Sequence, residues 1–288
     1  MTVDMQAEGF RAEDGLLTVT FIMLCHDSAE RVIARASRLL EEDPTCKLIV
    51  HFDRKSPISK YRTILKALGN HPRCYVMDKD RVRCGWGTWG LVEAPLRAIR
   101  YAFKAGFASD YFYLISEFCC PVQPLIALRQ HLTMHAGREF IESRDSSWIK
   151  GGIREDRYLY RHYLDKRKHP KLHRWMYRLQ KKLGMKRKLP TDMEVRFGSQ
   201  WWCLSIETVH RIITNERIKA LFRRSWIPDE CFFQTSVYSF VDKFELLRKG
   251  LTHYEFDEKG IPQEMSLNMW QTRQYSAQKF FLRKVMEY

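Results

Sequence analysis

Short apolar runs alternate with helical periodicities along the first half of the chain. Residues 17–25 are apolar on both faces and read as a buried strand. Asp27 followed by Glu30 has the spacing of a capping box, which starts a helix carried through Val32, Ile33, Ala36, Leu39 and Leu40. Residues 47–53 form a second strand, 58–68 a helix and 74–77 a short strand. Residues 89–104 form a helix with Val92, Leu96, Ile99 and Phe103 on one face, and 111–116 a strand closed by Pro121 and Pro124. Apolar strands alternating with helices predict a parallel sheet covered by helices. The expected fold class is therefore α/β, a single domain with a mostly parallel central sheet and helices on both faces. Ligands of such sheets bind beyond the C-terminal strand ends. That rule brings His26, Asp53 and the loop after Ser116 to one crevice.

The second half reads differently. Leu172, Trp175, Met176, Leu179 and Leu183 form an apolar stripe at helical spacing, with basic residues on the other faces. Two readings stay open: a solvated helix packed on the core through that stripe, or a surface helix at an anionic membrane. Residues 198–206 are aromatic and strand-like, and 208–222 helical. Pro228 suits the first turn of a helix running to about residue 240. A last apolar stretch, 280–285, contains Arg283 and Lys284. Residues 1–15 are polar and aperiodic, a loose tail ahead of one domain over 16–288.

Charge sharpens this picture. The 288 residues carry a net +15, and residues 154–188 alone hold 14 Lys or Arg against 3 Asp or Glu, a balance of +11. The basic character belongs to one element, so a nucleic-acid partner is not expected. Eight cysteines occur without a Cys-x-x-Cys pair, which disfavours a zinc ribbon. With no run of membrane-spanning length and no export signal read at the start, the expectation is a reduced, cytoplasmic protein, with peripheral contact on the inner face of a membrane as an option.

Four groups could carry chemistry. Asp229-Glu230 suits a helix start, where carboxylates favour the dipole. Equally, Glu230 could take a proton from a hydroxyl, with Trp226, Cys231, Phe232 and Phe233 nearby to desolvate it. Arg283-Lys284, flanked by Phe280, Phe281, Leu282 and Val285, could bind a diphosphate and stabilise its developing charge. In His51-Phe52-Asp53-Arg54-Lys55-Ser56, Asp53 could accept from a ribose or uracil group and Lys55 approach a phosphate. Asp78-Lys79-Asp80 has the form of a metal-binding Asp-x-Asp but follows the wrong strand, and reads as a solvated turn. No Gly-rich phosphate loop is present.

The order of several segments resembles the core-2/I-branching β-1,6-N-acetylglucosaminyltransferase and peptide O-xylosyltransferase family. The resemblance spans residues 19–285. Its markers are Phe21-Ile22-Met23-Leu24-Cys25-His26, the segment from His51 to Ser56, and Cys84-Gly85-Trp86-Gly87 with Val92-Glu93-Ala94. Tyr111-Phe112-Tyr113-Leu114-Ile115-Ser116 follows, then Gly198-Ser199-Gln200-Trp201-Trp202 with Leu204-Ser205, Pro228-Asp229-Glu230, and Phe281-Leu282-Arg283-Lys284. The resemblance implies a GT-A-like fold, a UDP-sugar donor, a glycan, glycolipid or other hydroxyl acceptor, and an inverting reaction without metal or other cofactor. On it Glu230 is the base, Arg283 and Lys284 the diphosphate clamp, and Asp53 and Lys55 donor contacts. Trp201 and Trp202 are candidates to stack on sugar rings, with core packing an equal account of one. The domain then divides into a nucleotide-sugar half over 16–150, the basic helical segment over 151–190, and an acceptor and catalytic half over 191–288. The expected sugar is N-acetylglucosamine or a related one. A xylosyltransferase with the same site is the alternative, and a non-catalytic basic membrane-surface or nucleic-acid-binding protein the rival from another class. One segment departs: the family's Ser-Gly-x-Asp-x-Pro is here Ser116-Glu117-Phe118-Cys119-Cys120-Pro121, which leaves donor and acceptor open.

Overall fold

The computed structural model describes residues 12–149, 153–257, 261–272 and 278–287. Strands β1 (Val19–Cys25), β2 (Lys47–Phe52), β3 (Cys74–Val76) and β4 (Tyr111–Ser116) build the central sheet, and β6 (Cys203–Ser205) closes its far edge. The order is β3-β2-β1-β4-β6, parallel except for β6. All seven residues of β1 and all six of β4 are buried, as both-sided covering requires. The linking helices are α1 (Ala29–Glu42), α2 (Ile58–Leu68) and α3 (Gly90–Ala105). The first two crossovers run one way along the sheet and the third runs back past β1. Right-handed crossovers therefore put α1 and α2 on one face and α3 on the other. This is the expected mostly parallel α/β sheet with helices on both faces.

Beyond β4 come β5 (Cys120–Pro121), α4 (Leu125–Met134), α5 (Asp156–Leu159) and α6 (Pro170–Lys182). After β6 come α7 (Ile206–Thr214), α8 (Glu216–Phe222), α9 (Phe232–Phe240), β7 (Thr252–Tyr254), α10 (Leu267–Thr272) and β8 (Phe281–Arg283). A second sheet has the order β5-β8-β7. Its register sets Leu282 opposite Cys120, and Arg283 opposite Tyr254. The end of the chain is thereby fixed to the loop that leaves β4, helped by the bond from the Val285 amide to the Phe118 carbonyl at 3.0 Å.

Several expectations are corrected. The cap of α1 is Ser28, whose hydroxyl accepts from the Arg31 amide, while Asp27 forms an ion pair with the Arg31 guanidinium at 2.9 Å. The 208–222 helix is two helices, because Asn215 leaves helical geometry and its side chain caps α8. Pro228 opens a 3-10 turn over Pro228–Glu230, and the helix proper starts at Phe232. Residues 1–11 lie outside the described ones, but Asp14 holds buried Arg129 through both carboxylate oxygens at 2.7 and 2.8 Å. Strand β6, from the segment after residue 190, completes the sheet begun by the first 150 residues.

The basic helix overturns the core-packing reading. Leu172, Trp175, Leu179 and Leu183 are exposed. The side of α6 turned to the protein instead carries His173, Tyr177 and Gln180. His173 meets His162 at 3.1 Å, the Tyr177 hydroxyl donates to Asp156, and the Gln180 side-chain amide bonds the Arg161 backbone at both ends.

Candidate active site

The chain reverses direction along the sheet between β1 and β4, so the loops leaving these strands diverge and open a crevice. Leu24 to His26, Asp53 and Ser116 to Phe118 line it, as the strand-end rule predicts. The crevice measures about 320 Å³, at the low end of small-molecule sites.

Asp53 is buried at the end of β2. Its Oδ1 accepts from the Lys55 amide at 2.8 Å and the Cys84 amide at 3.2 Å, tying the β2 loop to the Cys84-Gly85-Trp86 wall. Lys55 is exposed at the rim, close to Gly85: a methyl group added at Gly85 would lie 3.1 Å from its Nζ. His51 at the floor accepts from the Val82 amide at 2.8 Å. Burial lowers its pKa to about 4 and keeps it neutral.

Glu117, where the family has Gly, is fully buried. Its Oε1 accepts from the His26 and Asp27 amides at 2.9 and 3.1 Å and lies 3.3 Å from His26 Nδ1, raising the imidazole pKa. Its Oε2 has no hydrogen-bond partner among the described residues. Glu117 thus ties the ends of β1 and β4 together across the switch point. Cys119, where the family has Asp, is buried, with its Sγ 3.3 Å from the Ser116 amide.

The structure separates Arg283 from Lys284. Arg283 lines the crevice, 4.7 Å over the Trp201 ring, and among the described residues its guanidinium has no hydrogen-bond or ion-pair partner. Burial lowers its pKa, the sign of a cation short of compensation. Lys284 is not in the lining: its Nζ pairs with Glu264 at 3.1 Å and lies 5.2 Å over the Phe118 ring. The two tryptophans separate likewise. Trp201 lines the crevice, whereas Trp202 is fully buried and packs on Phe233 at 4.9 Å. Trp202 has no ring face left for a sugar, and its stacking expectation is corrected to core packing.

Glu230 stands next to the crevice, not in its lining. Its segment docks on the Gly85–Gly87 wall through the bond from the Ile227 amide to the Gly87 carbonyl at 3.0 Å. Gly87 is required there: its φ is +67°, and a Cβ would meet the Trp226 indole nitrogen at 2.9 Å. On the other side, the Gly198 amide donates to the Glu230 carbonyl at 3.0 Å, shortly before Trp201. The Glu230 carboxylate takes a 2.7 Å ion pair from Arg157, and its side chain remains 29% exposed. Two effects oppose each other on its pKa. Burial raises it, Arg157 lowers it, and burial is the larger, leaving a carboxylate more basic than usual.

Its neighbour Asp229 is buried, with Oδ1 unpartnered among the described residues. Burial, then the Glu230 charge, push its pKa from 3.8 up to about 7. A pKa raised on folding gives stability that is present below the unfolded value and lost as pH rises through the folded one. That loss falls between pH 3.8 and about 7, at up to about 1.4 kcal/mol per pH unit. Asp229→Asn is expected to melt well above the parent at about pH 8 and level with it at about pH 4. Calorimetry across that range checks this, and a gap that does not change with pH would contradict a titrating Asp229.

Sequence reasoning missed Arg157 and Arg167, which a run of positive charge hides among equals. Arg167 lines the crevice and lies 4.3 Å over the Trp86 ring. Trp86 stood inside a marker segment and was the one signal toward it. Asp78-Lys79-Asp80 forms an exposed turn in which Asp78 accepts from the Tyr61 hydroxyl at 2.9 Å.

The sequence profile of the Core-2/I-Branching enzyme family matches residues 19–280. No curated protein matches the chain. Among solved structures, it is similar to a mannosyltransferase, Ktr4p, of S. cerevisiae, with TM-score 0.37 and 10% identity over 78% of this chain and 67% of that one. It is also similar to a putative glucose-1-phosphate thymidylyltransferase of Bacillus anthracis, at 0.35 and 9% over 70% and 77%. A third is glucosyl-3-phosphoglycerate synthase of Mycobacterium tuberculosis, at 0.32 and 18% over 67% and 57%. These three are too distant to transfer any property. With the profile match over residues 19–280, the chain belongs to the Core-2/I-Branching enzyme family, as a glycosyltransferase that uses a nucleotide sugar.

Proposed function

We propose that this protein transfers N-acetylglucosamine or a closely related sugar from a UDP donor to a hydroxyl of a glycan or glycolipid, with inversion and without a metal. The observation that carries the reading is Arg283: a half-buried guanidinium lining the crevice, its Nε buried, with no anion among the described residues to meet it. Such a group costs stability until a ligand supplies the charge, and a diphosphate does so in the geometry guanidinium favours. Glu230 is the base. It deprotonates the acceptor hydroxyl, which attacks the anomeric carbon as the bond to UDP breaks, and the departing diphosphate keeps the electron pair against Arg283. Trp201 offers its ring at the sugar end, Asp53 and Lys55 lie toward the nucleoside end, and Arg167 closes the other wall. Lys284 would have to leave Glu264 to join, so the clamp is assigned to Arg283. The free thiols of all eight cysteines suit a reducing, cytoplasmic setting.

A panel of UDP-sugars with the purified protein tests the reading, scored by donor hydrolysis and transfer. UDP-N-acetylglucosamine is expected to be turned over best, and preference for UDP-xylose would move the assignment to a xylosyltransferase. Activity is expected to persist in excess EDTA. Strict dependence on added manganese would overturn the metal-free mechanism.

A further inference from the structure

The exposed edge of α6 belongs to none of the chemistry above. Leu172, Trp175, Leu179 and Leu183 fall at i, i+3, i+7 and i+11, so they line one edge of the helix and its C-cap. They are 47, 59, 39 and 62% exposed, and Met185 just beyond is also exposed. Lys171, Arg174, Arg178 and Lys182 run along the adjoining side, all exposed and without an ion-pair partner among the described residues. The protein-facing side, with His173, Tyr177 and Gln180, completes the circle.

We propose that α6 is a docking element for an anionic lipid bilayer, its Leu172–Trp175–Leu179–Leu183 edge entering the headgroup region with the four cations on the lipid phosphates. The arrangement meets the two requirements of interfacial binding at once: apolar side chains that water leaves uncovered, and a basic row beside them. A Trp on the outermost edge suits that boundary, where an amphipathic ring is favoured. Among the described residues no helix is long and apolar enough to cross a membrane, so the contact is peripheral. A second copy of the chain fits worse, since pairing two such edges brings two rows of like charge together in a protein of net +15. A nucleic acid would meet the cations but leave the Leu and Trp edge uncovered. The same segment reaches the crevice through Arg167, so docking would hold the site at the membrane surface.

The test uses the full chain and sedimentation with vesicles of phosphatidylcholine alone or mixed with phosphatidylglycerol. Binding to the mixed vesicles is expected to exceed binding to neutral ones by about tenfold or more and to weaken with salt. Trp175→Glu with Leu179→Glu is expected to lose that binding while keeping the parent's melting temperature and donor hydrolysis, since both side chains are exposed and neither lines the crevice. Replacing Arg174 and Arg178 with Gln is expected to reduce it in part. Absence of vesicle binding, equal binding by the double Glu variant, or preference for duplex DNA over vesicles overturns the proposal. So does a concentration-dependent dimer that the double variant abolishes. Because vesicle binding is read without any sugar donor, its outcome is independent of the transferase assignment.

Discussion

Glu230→Gln is expected to lower sugar transfer by about 10²–10⁴-fold, the range associated with removing one well-placed base. The amide keeps the size of the side chain and can still meet Arg157, so the fold should persist and the melting temperature should stay near the parent's. What is lost is the capacity to accept a proton. Burial makes this carboxylate more basic than usual, and Arg157 restrains the effect through the 2.7 Å pair. Two readouts follow from that balance. The acid limb of the rate profile, where Glu230 becomes protonated, should lie above the ordinary carboxylate range. Arg157→Met should move the limb further up, because the partner that favours the charged form is gone. A folded Glu230→Gln variant with near-normal transfer would remove Glu230 from the mechanism.

Arg283→Met should cost about 10²–10³-fold in transfer, the scale of losing one preorganised group that stabilises developing charge. It should also abolish the rise in melting temperature that UDP gives the parent. A ligand at a hundred times its dissociation constant stabilises a protein by about 2.7 kcal/mol, so the parent's shift is readily measured. Unliganded stability should move the other way or not at all. The guanidinium is half-buried, without an anion among the described residues, and a methionine of similar length removes that unpaired charge while still filling space beside Trp201. Loss of stability with UDP binding retained would make Arg283 a packing residue and leave the diphosphate without its contact.

The sequence by itself determined the sheet and the end of it that matters. Strands buried on both faces must be apolar throughout, and helices that cover them must carry periodic stripes, so the β1 to β4 frame was legible with nearly correct bounds. The strand-end rule alone then brings His26, Asp53 and the loop after Ser116 together. Ordered marker segments pointed to Glu230, to the pair Trp201 and Trp202, and to the pair Arg283 and Lys284. Only the tertiary structure decided the rest, because it depends on contacts between distant parts of the chain. Arg283 reaches the crevice because β8 pairs with β5, a register no local pattern encodes. Arg283 and Lys284, like Trp201 and Trp202, are adjacent in sequence but differ in role, since each meets different partners from distant parts of the chain. Periodicity on α6 revealed an apolar edge but could not say whether anything covers it. The polar contacts of His173, Tyr177 and Gln180 answered that by turning another side of the helix inward, leaving four apolar residues in water beside a row of unpaired cations.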